Sequence, residues 1–116
     1  MDLPDYATLK TEMAEPHVLV VTLNRPQAAN SLNTQMGLDF LDLWTRLTTD
    51  AQDARCVVLT GAGDKIFCAG GDLKERNGMT DEQWRMQHAI FEEAYYAVMN
   101  CTAPVKVRLL LSRGML

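Results

Sequence analysis

The sequence is poor in the side chains that build disulfide frameworks and metal sites. Its 116 residues include three cysteines and two histidines, and no Cys-x-x-Cys pair occurs. A disulfide framework uses an even set of cysteines and a zinc site uses closely spaced Cys or His ligands, so the sequence indicates neither. Cys56 and Cys68 lie in apolar runs, where a thiol packs as a small hydrophobic group. We therefore expect no bound metal.

Long apolar runs and an excess of positive charge are also missing. No stretch approaches the roughly 20 apolar residues of a membrane-spanning helix. The chain has 11 basic and 15 acidic residues, a net charge of −4, whereas nucleic-acid-binding domains carry a basic surface. The start, Met-Asp-Leu-Pro-Asp-Tyr, lacks the basic and apolar regions of a secretory signal. We expect a cytoplasmic protein that binds neither nucleic acid nor a membrane.

Strand and helix patterns alternate along the first half of the chain. Runs rich in β-branched residues at 17–23 and 56–60 predict two buried strands. Between them, apolar residues recur every three or four positions from Met36 to Leu47, which predicts a helix capped by Asn33 or Thr34. Asp39 falls off this apolar stripe. A strand, a helix and a strand in this order form a parallel unit, so the predicted fold class is α/β.

Two more elements are predicted in the second half. The short apolar run 66–69 predicts a third strand that leads into a pair of glycines. Thr80 and Gln83 have the spacing of a capping box and open a helix that extends to about Asn100. We expect its buried stripe to contain the residues spaced three or four apart, which are Trp84, His88, Phe91, Tyr95 and Val98.

The strongest candidate for chemistry is the segment 67–76, Phe-Cys-Ala-Gly-Gly-Asp-Leu-Lys-Glu-Arg. Glycine allows a positive φ and a close approach of a ligand to the backbone. Successive N–H groups at such a turn can bind an anion or an oxyanion. Asp72 suits the N-cap of a short helix that follows. The alternative is a tight turn whose glycines satisfy backbone geometry alone.

The other segments and side chains that could form a functional site give weaker indications. The stretch 61–63, Gly-Ala-Gly, lacks the Lys-Ser/Thr of a phosphate loop. Glu92 and Glu93 are adjacent and point to different faces of their helix, so we expect them to be solvated. His88 is expected in the core or at an interface. Arg25 follows the first buried strand and either meets a phosphate or is solvated.

Four segments carry a family resemblance, namely Val20-Val-Thr-Leu-Asn-Arg-Pro26, Asn30-Ser-Leu-Asn33, Cys56-Val-Val-Leu-Thr-Gly61 and Phe67-Cys-Ala-Gly-Gly-Asp-Leu73. Taken together, they resemble the enoyl-CoA hydratase/isomerase (crotonase) superfamily. The resemblance covers roughly residues 12–105 and matches the N-terminal half of the family. It therefore implies the N-terminal part of a crotonase-type ββα spiral, truncated. The sequence Asp72-Leu-Lys-Glu-Arg76 resembles the methylglutaconyl-CoA hydratase branch.

The resemblance implies binding of an acyl-CoA thioester, with coenzyme A as part of the substrate and no separate cofactor. Family members stabilise an enolate with two backbone N–H groups and typically add water to a 2-enoyl-CoA. Gly71 matches one of the two donors, and removal of such a donor typically costs about 3–4 kcal/mol. Trimers or hexamers are usual in the family. The residues matched to the substrate and CoA site are Arg25, Gln27, Ala28, Ala69, Gly70, Asp72, Leu73 and Lys74.

The last residues depart from the family pattern. We expect residues 1–105 to form the acyl-CoA-binding part and residues 106–116 to be an atypical basic tail, the product of a frameshift or altered splicing. In the family, the second oxyanion donor and two catalytic glutamates follow Val105, and the printed tail does not match them. The expected activity of this chain alone is therefore little or none. Two alternatives are a non-catalytic module that binds CoA or pairs with full-length subunits, and a small flavodoxin-like binding domain.

Overall fold

The described chain forms a four-stranded sheet with a helix packed on it and a second long helix packed on the first. A computed structural model describes residues 2–63 and 66–108. The sheet order is β1-β2-β3-β4. The elements are β1 (Leu9–Glu15), β2 (Val18–Leu23), α1 (Thr34–Thr49), β3 (Cys56–Gly61), α2 (Leu73–Asn77), α3 (Asp81–Met99) and β4 (Val105–Val107), with a 3-10 turn at Pro26–Ala28.

The first three strands contain the predicted strand-helix-strand unit. β1 pairs with β2 in antiparallel orientation, and β2 pairs with β3 in parallel orientation. The predicted strands at 17–23 and 56–60 and the helix between them are confirmed. Asn33 is the N-cap of α1, and its side chain accepts a hydrogen bond from the N–H of Met36 at 2.9 Å. β4 extends the sheet beside β3, also in parallel orientation.

The core lies between the sheet and α1. Alternate residues of the strands point into it because side chains of a strand alternate between its two faces. Trp44 is fully buried, and its Nε1 has no hydrogen-bond partner among the described residues. The other fully buried large side chains are Leu19, Val21, Leu23, Met36, Leu43, Leu47 and Val57.

Asp39 is buried, although the helical pattern places it off the apolar stripe. Its carboxylate accepts hydrogen bonds from the N–H of Thr8 at 3.0 Å and from the Thr8 hydroxyl at 2.6 Å. Gln35 donates a third bond, at 2.8 Å. A position off the apolar stripe is thus buried here, because Thr8, directly before β1, supplies donors that satisfy the carboxylate.

The capping box of α3 is confirmed, but its predicted buried stripe is right only in part, because Phe91 and Val98 are half-buried whereas Trp84, His88 and Tyr95 are exposed. Thr80 and Gln83 exchange both hydrogen bonds of the box. Trp84 is 43% exposed and Tyr95 60% exposed, and the exposed His88 stacks on Trp84 with ring centroids 5.5 Å apart. The buried residues of α3 are Gln87 and Ala94.

The reason for this difference is a close crossing of the two long helices. A Cβ placed on Gly37 of α1 would lie 2.7 Å from the ring of Phe91. Because α1 offers no side chain at that point, α3 approaches closely and its Phe91 and Ile90 side chains lie against Gly37. The side of α3 that carries Gln87, Ile90 and Phe91 thus packs against α1, whereas Trp84 and Tyr95 stay exposed. His88 lies outside the core.

Residues 66–69 do not form the predicted third strand. The only bridge at this place pairs Gly71 with Leu32 within the described ranges. Ile66 is 44% exposed, and its carbonyl accepts a hydrogen bond from the Asn30 side chain rather than from a strand. The hydrogen bond from the Asn30 side chain thus replaces the backbone hydrogen bonds that a paired strand would make at Ile66.

The predicted basic tail begins inside β4, an edge strand in which Lys106 is exposed. Residues 109–116 lie outside the described part, and the boundary at 105 stays a prediction. Within the described ranges, no helix combines the length and the apolar character needed to cross a membrane.

Candidate functional site

The backbone N–H of Gly71 lies at the centre of the candidate site and has no acceptor in the part of the chain that the structure describes. Leu32 donates to the carbonyl of Gly70 at 2.7 Å, and Asp72 donates to the carbonyl of Leu32 at 2.9 Å. This pairing aims the N–H of Gly71 away from Leu32, because successive residues of an extended segment direct their N–H groups to opposite sides. No acceptor for this N–H occurs within residues 2–63 and 66–108. Gly71 is half-buried.

The two glycines of the site have different roles. Gly70 has a φ of +91°, which residues with a Cβ rarely adopt. Gly71 does not have a positive φ. Instead, a Cβ placed on Gly71 would lie 3.2 Å from Nη2 of Arg76. The prediction of positive φ therefore holds for Gly70 only. At Gly71, the missing Cβ allows the Arg76 guanidinium to lie close to the backbone.

Asn30 ties the loop between β2 and α1 to the segment between β3 and α2. It is 1% exposed and has a φ of 55°, in the left-handed region that asparagine tolerates better than most residues. Its Oδ1 accepts from the N–H of Arg25 at 2.9 Å. Its Nδ2 donates to the carbonyls of Ala62 and Ile66 at 3.0 and 2.9 Å. The side chain thus fixes where the segment leading to Gly71 begins.

Arg25 joins the loop after β2 to the segment that follows Gly71. Its guanidinium donates to the carbonyl of Ser31 at 2.6 Å and to Oδ2 of Asp72 at 3.0 Å. The two charged side chains are only 15% and 14% exposed. The expectation of a solvated Arg25 is therefore wrong, since a carboxylate of this chain neutralises it.

Asp72 has two roles at once. As the N-cap of α2, it accepts a hydrogen bond from the N–H of Glu75 on Oδ1, while Oδ2 accepts from Arg25. The bond from Glu75, and after it the bond from Arg25, hold the pKa of the Asp72 carboxyl below its ordinary value of 3.8. Both contacts stabilise the carboxylate form. The predicted N-cap is confirmed.

Glu75 connects α2 to both long helices. Its Oε1 accepts from the N–H and the hydroxyl of Thr34 at 2.8 and 2.9 Å, and from Nε2 of Gln87 at 2.6 Å. Thr34 is the first residue of α1, where a carboxylate interacts favourably with the helix dipole. A cavity of about 400 Å³ lies beside this cluster. Its other lining residues are Gly78, Met79, Gln83, Met86 and Ile90.

The structure brings some of the predicted site residues together and leaves others apart. Arg25 and Asp72 are in contact, and Ala69 donates its N–H to the carbonyl of Ala29 at 3.0 Å. These contacts place the 3-10 turn beside the glycine pair. Ala28 is half-buried in that turn. The remaining predicted side chains, Gln27, Leu73 and Lys74, are exposed around this region and make no polar contact with the other site residues in the described part.

Sequence reasoning missed Asn30 and Glu75 as organisers of the site. The tolerance of asparagine for left-handed φ, directly after two alanines, was an available signal for Asn30. No local signal marked Glu75, because its partners lie 41 and 12 positions away. Within the described ranges, no group of three or more His, Cys, Asp and Glu side chains could hold a metal ion.

Comparison with known proteins identifies a family. The family model described as Enoyl-CoA hydratase/isomerase matches residues 13–107. The (E)-benzylidenesuccinyl-CoA hydratase of Thauera aromatica is 52% identical over 59 residues, which cover 51% of this chain and 23% of that protein. The human mitochondrial Delta(3,5)-Delta(2,4)-dienoyl-CoA isomerase is 31% identical over 117 aligned residues, covering 90% of this chain and 35% of the isomerase.

Solved structures agree with this result. The enoyl-CoA hydratase from Bacillus anthracis superposes with a TM-score of 0.84 at 36% identity, covering 90% of this chain and 40% of that structure. The chain thus has the α/β fold of the crotonase-type structures over the part that it covers. It spans 23% of the Thauera relative and 40% of the Bacillus structure.

Proposed function

Because this chain belongs to the enoyl-CoA hydratase/isomerase family, we propose that it binds an acyl-CoA thioester and that Gly71 donates a hydrogen bond to the thioester oxygen. The observation that carries the proposal is the N–H of Gly71, which has no acceptor among the described residues. The adjacent N–H of Asp72 is occupied by Leu32. The N–H of Gly71 therefore lies without an acceptor in the described part, at a half-buried position beside Gly70 where a carbonyl oxygen can approach.

A backbone donor at this place favours charge on the thioester oxygen. When an enolate forms, its oxygen becomes negative, and a fixed N–H stabilises that charge more than it stabilises the neutral carbonyl. The rigidity of the donor comes from the contacts of Leu32, Asn30 and Arg25 that surround it. Gly71 is thus proposed as the catalytic contribution of this chain to enolate chemistry.

The surrounding residues are proposed to receive the rest of the molecule. The turn with Gln27 and Ala28 flanks the CoA part, and the segment from Ala69 to Lys74 lines the thioester and adenine end. Arg25 contributes by holding Asp72 in place. The narrower assignment to the methylglutaconyl-CoA hydratase branch stays a prediction from residues 72–76.

Water addition to a 2-enoyl-CoA also requires a base and an acid placed beside the double bond. Glu75 is bonded to Thr34 and Gln87, and Asp72 is paired with Arg25. The carboxylates nearest to Gly71 are thus committed to structural contacts. We therefore propose that this chain alone binds the thioester and turns it over little or not at all.

Equilibrium binding of two CoA derivatives tests the role of Gly71. Butyryl-CoA has the thioester carbonyl, and S-butyl-CoA is its thioether analogue without that oxygen. One hydrogen bond contributes about 0.5–1.5 kcal/mol, so we expect butyryl-CoA to bind roughly 2- to 12-fold more tightly. Gly71→Pro removes the N–H and is expected to abolish this preference. Gly71→Ala keeps the N–H and serves as the matched variant.

Three results would contradict the proposal. The first is equal binding of the two compounds to the unmodified chain, a comparison that does not depend on the folding of any variant. The second is an unchanged preference in Gly71→Pro. The third is hydration of crotonyl-CoA at the rate of a full-length hydratase, which would overturn the proposed lack of turnover.

A second candidate function is a non-catalytic module that pairs with full-length subunits. The observation in its favour is a set of exposed large apolar side chains on α3. Size-exclusion chromatography with light scattering, alone and with a full-length homologue, separates the two candidates. A compact monomer that binds neither CoA nor the homologue would exclude this module. The side chains are Trp84, Met86, Tyr95, Tyr96 and Met99, which are 43–64% exposed.

A further inference from the structure

The short helix that follows Gly71 has no apolar anchor of its own. α2 has five residues, Leu73–Asn77, all within the described part of the chain, and none of them is buried. Leu73, its first residue, is 67% exposed. Isolated helices shorter than roughly 12–15 residues are marginal in water, so α2 is not stable by itself. Polar contacts therefore hold α2 in place, and with it the segment that begins at Gly71.

Two carboxylates supply these contacts. Asp72, the N-cap of α2, pairs with Arg25, and Glu75 reaches both long helices. One oxygen of Glu75, Oε1, accepts three bonds, from the N–H and the hydroxyl of Thr34 at 2.8 and 2.9 Å and from Nε2 of Gln87 at 2.6 Å. Gln87 is only 3% exposed. Because hydrogen bonds to a charged acceptor are stronger than neutral ones, Glu75 attaches α2 firmly to α1 and α3.

This attachment lies beside the backbone contact that directs the N–H of Gly71. Leu32 and Gly71 form an isolated bridge, in which the backbone of Leu32 bonds to both neighbours of Gly71. Thr34 lies two residues after Leu32, and Glu75 lies four residues after Gly71, so their hydrogen bonds join the same two segments a second time. A single bridged pair still allows the two segments to rotate about it. The second point of attachment opposes that rotation.

We propose that Glu75 is a positioning residue for the donor of the thioester site, which sets the direction of the Gly71 N–H through α2. The inference rests on the proposed function, because it concerns the hydrogen bond that Gly71 donates to the thioester oxygen. A hydrogen bond weakens steeply as its angle falls toward about 120°, so a small rotation of the Gly71 peptide is enough to lose it. The rest of the CoA molecule does not use this bond.

The readout is the ratio of the affinities of the complete chain for butyryl-CoA and for S-butyl-CoA. Both compounds have the same CoA part, so a general weakening of the site cancels in the ratio. The unmodified chain is expected to give a ratio of about 2 to 12. Glu75→Ala removes the attachment and is expected to lower the ratio to about 1. Glu75→Gln keeps an acceptor for Thr34 and should retain most of the ratio.

A change at Gln87 tests the same contact from α3. Gln87→Glu places a second carboxylate where Nε2 now lies 2.6 Å from Glu75. Two facing carboxylates repel each other when both are ionised, so the ratio is expected to fall at slightly alkaline pH. Addition of Glu75→Gln removes one of the two charges and should restore part of the ratio. Such a recovery shows coupling between the two side chains, which independent effects on folding do not produce.

Glu92→Ala is the matched control, because it removes an exposed carboxylate of α3 that is not part of these contacts. Its ratio should equal that of the unmodified chain. Circular dichroism of every variant identifies a folding defect. If Glu75→Ala is unfolded, the comparison of Gln87→Glu with the combined Gln87→Glu and Glu75→Gln variant decides in its place.

The contrary outcomes are distinguishable. An unchanged ratio in folded Glu75→Ala overturns the inference and leaves the role of Gly71 intact, even where both affinities fall together. A ratio in Gln87→Glu that stays at the original value, or that Glu75→Gln does not restore, also overturns the inference. Equal binding of the two compounds to the unmodified chain overturns the proposed function, and the inference with it.

Discussion

Arg25 and Asp72 stand 47 positions apart in the chain and form an ion pair of 3.0 Å. The pair joins the loop after β2 to the N-cap of α2, with Gly71 immediately beside it. Because both side chains are mostly shielded from solvent, this contact fixes the geometry of the donor segment more than a surface ion pair could.

A double-mutant cycle with Arg25→Ala and Asp72→Asn should show strong coupling. Each single change leaves one charged or polar partner without its bond, so we expect each to lower the free energy of unfolding by about 1–2 kcal/mol. The double variant should be less destabilised than the sum of the two. Urea denaturation measures all four proteins. The exposed pair Arg46–Asp42, also part of this structure, is the control and should show a smaller coupling.

The ion pair also predicts a dependence of stability on pH. The pKa of Asp72 is held below its ordinary value of 3.8 by the N–H of Glu75 and by Arg25. A carboxyl with a depressed pKa in the folded state contributes stability above its unfolded pKa and loses it as the pH falls through its folded pKa. Stability should therefore decline as the pH falls below about 4.

The contribution of Asp72 to that decline is isolated by comparison with Asp72→Asn. Asp42 has a pKa lowered chiefly by its bond with Arg46, so it adds a decline in the same direction. The difference in unfolding free energy between the unmodified chain and Asp72→Asn should be largest near neutral pH. It should vanish at the lowest pH, and a difference that stays constant throughout would argue against the assigned pKa shift.

Asn30 should be among the most sensitive polar positions of the chain. Asn30→Ala removes the bonds to Ala62, Ile66 and Arg25 and places alanine at a φ of 55°. We expect a loss of about 2–4 kcal/mol in unfolding free energy. Hydrogen exchange should show faster exchange at the N–H of Ala69, whose bond to Ala29 depends on this packing.

The matched control for this position is Asn77→Ala at the exposed end of α2, which should change stability little. Asn30→Asp is an informative second variant. It preserves the size of the side chain and the acceptor for Arg25 but exchanges the Nδ2 donor for an oxygen that faces two carbonyls. Stability of this variant at the level of the original chain would contradict the role given to the amide.

Replacement by alanine should lower the stability of the chain at Gly61 but not at Gly78. A Cβ on Gly61 would lie 2.5 Å from the carbonyl oxygen of Phe67, whereas a Cβ on Gly78 meets only an ordinary contact of 3.7 Å. We expect Gly61→Ala to destabilise the chain by about 1–3 kcal/mol through overpacking, and Gly78→Ala to be close to neutral. Thermal unfolding of both variants distinguishes them, and equal melting temperatures would contradict the close contact at Gly61.

The parts of the fold that follow from local pattern were predictable from sequence. β2 and β3 were identified by their apolar residues, and α1 and α3 by their periodicity and caps at Asn33 and Thr80. The exposure of Trp84 and Tyr95 was not predictable, since the side of α3 that packs inward depends on the absence of a side chain at Gly37 on another helix.

The site was predictable only in outline. The glycine pair and the N-cap Asp72 lie within one short segment, so their sequence alone indicated a turn that could bind an anion. The contacts that hold the turn come from Asn30, Arg25 and Thr34, which are distant in sequence. The periodicity of a sequence describes one helix or strand at a time. It therefore does not indicate which loops are joined by a side-chain hydrogen bond.

The burial of Trp44 and the exposure of Trp84 give the protein two distinct optical reporters. Trp44 is fully buried, and its indole N–H has no hydrogen-bond partner among the described residues. Trp84 is 43% exposed and stacks on His88. The emission of Trp44 should therefore be short in wavelength and shielded from acrylamide, and that of Trp84 should be red-shifted and readily quenched. Since these are the chain's two tryptophans, fluorescence can follow the core and the outer face of α3 separately without any attached dye.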